Sequence, residues 1–97
     1  MPFNTSKPSQ KEYIDLSSKC TLPVIASFNV KGDCVPLYFR YIFADDTYTD
    51  ISIDRIIEVK KGSRRTIYIC YVTTYDIRHT IKLVYFRDQG KWILNAY

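Results

Sequence analysis

The chain has 97 residues, 46% of them apolar and 15% aromatic. That is enough for one domain but not two, and too apolar for a disordered segment. Three glycines and four prolines exclude a fibrous chain, and no apolar run nears the roughly 18 residues of a membrane span. The net charge of +4 is uneven: residues 1–50 carry five basic and six acidic side chains, residues 51–97 nine and four. Any electropositive surface therefore belongs to the second half.

Residues 1–9 read as a polar tail broken by Pro2 and Pro8. Ser9-Gln10-Lys11-Glu12 has the form of a capping box, which starts a short helix running to about Ser18; an extended edge segment is the alternative. From Leu22 the pattern turns to period two. Val24, Ala26, Phe28 and Val30 share one face of a strand. Lys31-Gly32-Asp33 turns the chain, and Val35, Leu37, Phe39, Tyr41 and Phe43 form the next apolar row, with Pro36 near its start. Asp45-Asp46-Thr47 is a further turn. In residues 48–60 the alternation fails at Arg55 and Ile56, which predicts a bend or bulge near Asp54-Arg55 that splits this stretch into two strands.

Lys61-Gly62-Ser63 leads into Arg64–Thr73, where Ile67, Ile69 and Tyr71 oppose Tyr68, Cys70 and Val72. Both faces are apolar, the mark of a strand that is central or covered on both sides. Turns at Thr74-Tyr75-Asp76 and Asp88-Gln89-Gly90 bound the strand Ile77–Arg87, and Lys91–Tyr97 closes the chain with Trp92 and Leu94 on one face. Short turns leave no room for crossover helices, so neighbours pair antiparallel. The expected fold is all-β: a meander of about six strands curled into an open barrel, one domain over residues 10–97. A flat sheet packed on the N-terminal helix is the alternative.

The runs Pro36-Leu37-Tyr38-Phe39-Arg40 and Ile53-Asp54-Arg55-Ile56, with Trp92 near the end, resemble a group of small uncharacterised proteins of Gram-positive bacteria. The resemblance covers roughly residues 22–94. It implies the same order of strands and a bacterial cytoplasmic setting, and it implies no activity.

Catalytic and metal chemistry find little support. Cys20, Cys34, Cys70 and His79 lack the close ligand pairs of a zinc site. An odd number of cysteines and a polar N-terminus fit a reducing cytoplasm better than a disulfide framework. His79, the only histidine, falls between Ile77 and Ile81 on an apolar face, and a Cys70–His79 pair would need both on one face of the sheet. The glycines are isolated, so no phosphate-cradling loop or nucleotide-cofactor motif is present. No cofactor, metal or membrane is expected.

Two binding readings remain. The first is a non-catalytic interaction module that takes a protein partner, or a second copy, on a Tyr-rich β surface holding Tyr38, Tyr68 and Tyr85. The second is nucleic-acid binding by the hairpin Lys60, Lys61, Arg64 and Arg65. Arg40 and Arg87 stand beside aromatic residues, and Arg78, Lys82 and Lys91 flank the hairpin.

Overall fold

The computed structural model of the chain describes residues 14–97. Eight strands follow in order: β1 (Cys20–Thr21), β2 (Val24–Phe28), β3 (Cys34–Ile42), β4 (Tyr48–Ser52), β5 (Arg55–Lys61), β6 (Arg65–Thr74), β7 (Ile77–Phe86) and β8 (Lys91–Ala96). Every pairing is antiparallel. The all-β expectation holds, but the strands form two sheets rather than one curled sheet. One has the order β1-β8-β7-β6-β5 and the other β2-β3-β4.

Two corners explain the division. Leu22 N–H still bonds to Trp92 of β8 (3.3 Å), but Pro23 has no N–H to continue that ladder, and its carbonyl accepts from Arg40 of β3 instead (2.9 Å). At the second corner Ile53 N–H bonds back to Leu37 (2.9 Å), while Asp54 N–H already bonds to Tyr71 of β6 (2.8 Å). A strand that changes sheets through a bend is how two packed sheets make a corner. The break expected near Asp54-Arg55 is therefore real, and it hands the chain from one sheet to the other.

Residues 14–18, expected to end a helix, form a loop with a turn at Leu16–Ser18. The Asp15 carboxylate takes the Ser17 N–H at 3.0 Å and the hydroxyls of Ser17 and Ser18 at 2.5 and 2.7 Å. Such local bonds compete with a helical ladder. Residues 10–13 of that expected helix, and the tail 1–9, lie outside the described residues. No helix among the described residues is long and apolar enough to cross a membrane.

Two bulges reset the alternation. In β3, Ile25 faces Tyr38 while Ala26 faces Pro36, leaving Leu37 as the extra residue. Cys34 and Pro36 therefore point inward before it, and Phe39 after it. Strict alternation had put Val35 and Leu37 on the buried face; both are exposed. In β5, Ile57 is the extra residue between Ile56 and Glu58.

The core lies between the sheets. Phe39 and Ile51 meet Tyr68, Cys70, Val72, Ile81, Leu83 and Leu94, with Trp92 and Leu22 closing one side. Strand β6 lies inside its sheet and is apolar on both faces, as its sequence implied: on the outer face Ile69 is buried, Ile67 and Tyr71 are half-buried, and Ile67, Val84 and Ile93 align across three strands.

Candidate functional site

Three hairpin tips meet at one end of the molecule: residues 29–33, 62–64 and 87–90. The first is shaped by Asn29, whose side-chain oxygen accepts from Lys31 N–H (2.9 Å) and Asp33 N–H (3.0 Å), and by Gly32 at a φ of 86°. In the second, Gly62 N–H bonds to the Arg65 carbonyl at 2.7 Å, and that oxygen would sit 3.1 Å from any Cβ at position 62. A side chain there would crowd the turn.

Two cations tie the tips together. Lys61 Nζ lies 2.8 Å from Asp33 Oδ1, joining the three-stranded sheet to the five-stranded one. That lysine holds the Asp33 carboxyl below the usual carboxylate range. Arg87 donates from one guanidinium nitrogen to Thr66 Oγ1 (2.7 Å) and from the other to the Gly62 carbonyl, while its own N–H bonds to the Arg64 carbonyl (3.0 Å).

The end is strongly basic. Lys31 comes from the first tip; Lys60, Lys61, Arg64 and Arg65 from the second; Arg87 and Lys91 from the third. Asp33 and Asp88 are the acidic residues among them. Lys60 has only a loose approach to Glu58, at 3.9 Å. Arg64, Arg65, Lys31 and Lys91 have no ion pair among the described residues.

Clefts run between the tips. One of about 480 Å³ is walled by Arg64, Arg65, Phe86 and Gln89. A wider, open trough of about 810 Å³ separates β2 from the start of β8, with Phe28 and Lys91 on its sides and Tyr85 and Trp92 in its lining. Gln89 lines both. Phe28 is 61% exposed. The sequence pattern put it on a buried face, but it sits at the end of β2 beyond the packed sheet. The parity of β2 turns the N–H and C=O groups of Val24 and Ala26 away from β3, since Pro23 and Asn29 are the bonded positions.

The remaining sequence candidates lie elsewhere. Arg40 is on the outer face of the three-stranded sheet, bonded to Asp50 (2.9 Å) and stacked 3.8 Å above the Tyr48 ring. Tyr38 shares that face. Arg78 lies at the far end of β7 over Tyr71, and Lys82 is in mid-strand. Tyr68, expected on an interaction surface, is buried: its hydroxyl donates to the Cys34 carbonyl at 2.5 Å and lies 3.4 Å from Cys34 Sγ. Tyr85 is half-buried, its ring 4.7 Å from that of Trp92.

Register places Cys70 opposite Ile81 and Val72 opposite His79, so Cys70 and His79 share the inner face. Their chemistry does not follow from that. Burial pushes the Cys70 thiol up to about 12, away from the thiolate a nucleophile needs, and His79 Nε2 is taken by Thr74 Oγ1 at 2.9 Å. Among the described residues no three His, Cys, Asp or Glu side chains are grouped to hold a metal ion. This end sets cations that have no ion pair among the described residues beside the exposed Phe28 and half-buried Phe86 rings. In the comparisons with known proteins, no family model, curated protein or solved structure matches this chain.

Proposed function

We propose that the chain is a non-catalytic module that binds single-stranded nucleic acid across its basic end. One observation carries the reading. Three hairpin tips far apart in sequence gather their cations at one place, and among the described residues four of them have no ionic partner, beside the exposed ring of Phe28 and the half-buried ring of Phe86. Single-strand binders combine these two features, charge for the backbone and ring faces for the bases. Three free thiols suit the cytoplasmic setting expected from the sequence.

The reading that led at the sequence level, a Tyr-rich surface for a protein, loses Tyr68, which is interior, while Tyr85 is half-buried against Trp92. Tyr38 remains on a different face.

Fluorescence anisotropy of labelled single- and double-stranded oligonucleotides decides the matter. Four phosphate contacts on a single strand give a log–log salt slope of about −3, so affinity falls about 50-fold between about 50 and about 200 mM salt. Changing Arg64, Arg65 and Lys91 to Ala removes most of that slope, while Arg87 and Lys61 stay in place to keep the tips together. Absence of binding at low salt, or equal binding by the triple variant, overturns the proposal.

A further inference from the structure

The outer face of the three-stranded sheet is the other unexplained surface. Ile25 of β2, Val35, Leu37 and Ile42 of β3, and Tyr48 of β4 are each between 43% and 56% exposed. They surround Tyr38 and the pair Arg40–Asp50. Contiguous apolar exposure of this kind marks a contact surface, whereas scattered single residues do not.

The charges on this face are settled internally. The Arg40 guanidinium bonds the Asp50 carboxylate through Nε at 2.9 Å and Nη2 at 3.4 Å, and its Cζ lies 3.8 Å from the centre of the Tyr48 ring. Arg40 and Asp50 are directly opposed across β3 and β4. The face thus offers apolar side chains around one cation and one anion. Among the described residues it has no unpaired cation for a phosphate or an anionic membrane surface.

We infer that this face is the interface of a homodimer. A second copy carries the same apolar rows and the same pair, and in a twofold arrangement residue i meets j while j meets i. Arg40 of one copy then faces Asp50 of the other, so the one charged pair on the face is complementary to itself. Arg40 is the one cation on β2, β3 and β4 and is paired with Asp50, which lets two copies approach here without juxtaposing unpaired cations. Three strands about 4.8 Å apart, the longest about 30 Å, give a patch at the small end of stable interfaces. The dimer is accordingly a reversible one. It would carry two basic ends, but the inference does not rest on their binding nucleic acid.

Sedimentation velocity and light scattering on the full chain, without nucleic acid, from about 1 to about 500 µM span the range in which interfaces this small dissociate. The wild type should pass from monomer to dimer. Ile25→Lys with Ile42→Lys should stay monomeric and keep its thermal transition. Asp50→Arg should also stay monomeric, by facing like charges across the twofold. The swap Arg40→Asp with Asp50→Arg should dimerise again, and this arm stands even if the lysine variant fails to fold. A wild type that is monomeric throughout overturns the inference and leaves the face to an unlike partner. A dimer that survives both the lysine pair and Asp50→Arg overturns it as well, by placing the interface elsewhere.

Discussion

Tyr68→Phe isolates the buried polar tie between the two sheets, as distinct from the exposed Lys61–Asp33 pair. Asn29 and Asp33 form a hydrogen-bonded pair, so at the next position Cys34 faces Phe28 without bonds and turns its carbonyl away from β2. On the other side β4 stops short, its register with β3 starting at Tyr38. The Tyr68 hydroxyl reaches this carbonyl from the opposite sheet at 2.5 Å. Phenylalanine keeps the ring and its contact with Trp92, at 5.6 Å between centroids, and removes only the donor. A buried acceptor stripped of its partner costs about 2 kcal/mol. In a domain of this size that lowers Tm by about 8–16 °C. Tyr68→Ala also opens a cavity and should cost about 3–5 kcal/mol. The assay is thermal unfolding by circular dichroism, with urea melts to show that m is unchanged and the loss is one of stability. If Tyr68→Phe melts within about 2 °C of the wild type, the bond does not hold the sheets and the reasoning fails.

Two further outcomes follow from backbone strain and from burial. The hairpin between β6 and β7 places Tyr75 and Asp76 at φ of 51° and 64°, both in the left-handed region that a two-residue turn of this hand requires. Asp76→Gly should raise stability by about 1 kcal/mol, read from the urea midpoint, and a lower midpoint would contradict the strain argument. Burial pushes the Cys70 thiol up to about 12 and, with the bond to Cys34, raises Tyr68 too. Both groups stay neutral in the fold at pH values where the unfolded chain ionises them. The Cys70 contribution is therefore fully present below the ordinary thiol value of 9.0 and is lost as pH rises toward 12, while that of Tyr68 begins to fall only above the ordinary phenol value of 10.0. Cys70→Ala should flatten that alkaline decline in urea melts; an unchanged slope would show that Cys70 plays no part in it.

The strands were legible because their side chains alternate and their turns carry Gly, Asp and Asn. The division into two sheets was only half legible. Arg55 and Ile56 broke the alternation, and that exposed the corner at Ile53-Asp54. The corner at Leu22-Pro23 gave no such sign, because a proline at a strand boundary looks the same whether the chain ends a ladder or changes sheets. Leu37 is the clearest failure of periodicity. Val35, Leu37 and Phe39 form an unbroken apolar row, and a bulge moves two of them to the surface. Nothing local prevents that, since the sequence does not record which row the opposite sheet will cover. The turn at Leu16–Ser18 went unseen for a related reason. The capping box concerns residues 9–12, whereas the Asp15 carboxylate acts through Ser17 and Ser18.

Charge was legible as a sum and not as an allocation. Counting found the basic hairpin and the flanking Arg87 and Lys91, and the fold brings these together. Counting could not say which cations have work inside the fold. Arg87 binds Gly62 and Thr66 across two hairpins, Lys61 reaches Asp33 in the other sheet, and Arg40 is spent on Asp50 and Tyr48. Each of the hydrogen-bonded pairings spans at least ten positions of sequence, so only tertiary distance reveals it. Among the described residues Arg64 and Arg65 on one tip and Lys31 and Lys91 on the others have no ion pair; Lys19, Arg55 and Lys82 have none either, but they lie away from this end. An ion pair at hydrogen-bond distance directs the charge inward, while an unpaired guanidinium at a turn keeps its donors for whatever approaches. The division between framework and ligand cations thus follows from pairing, and it predicts that charge removal at Arg64 and Arg65 acts on binding, while removal at Arg87 acts first on the hairpin itself.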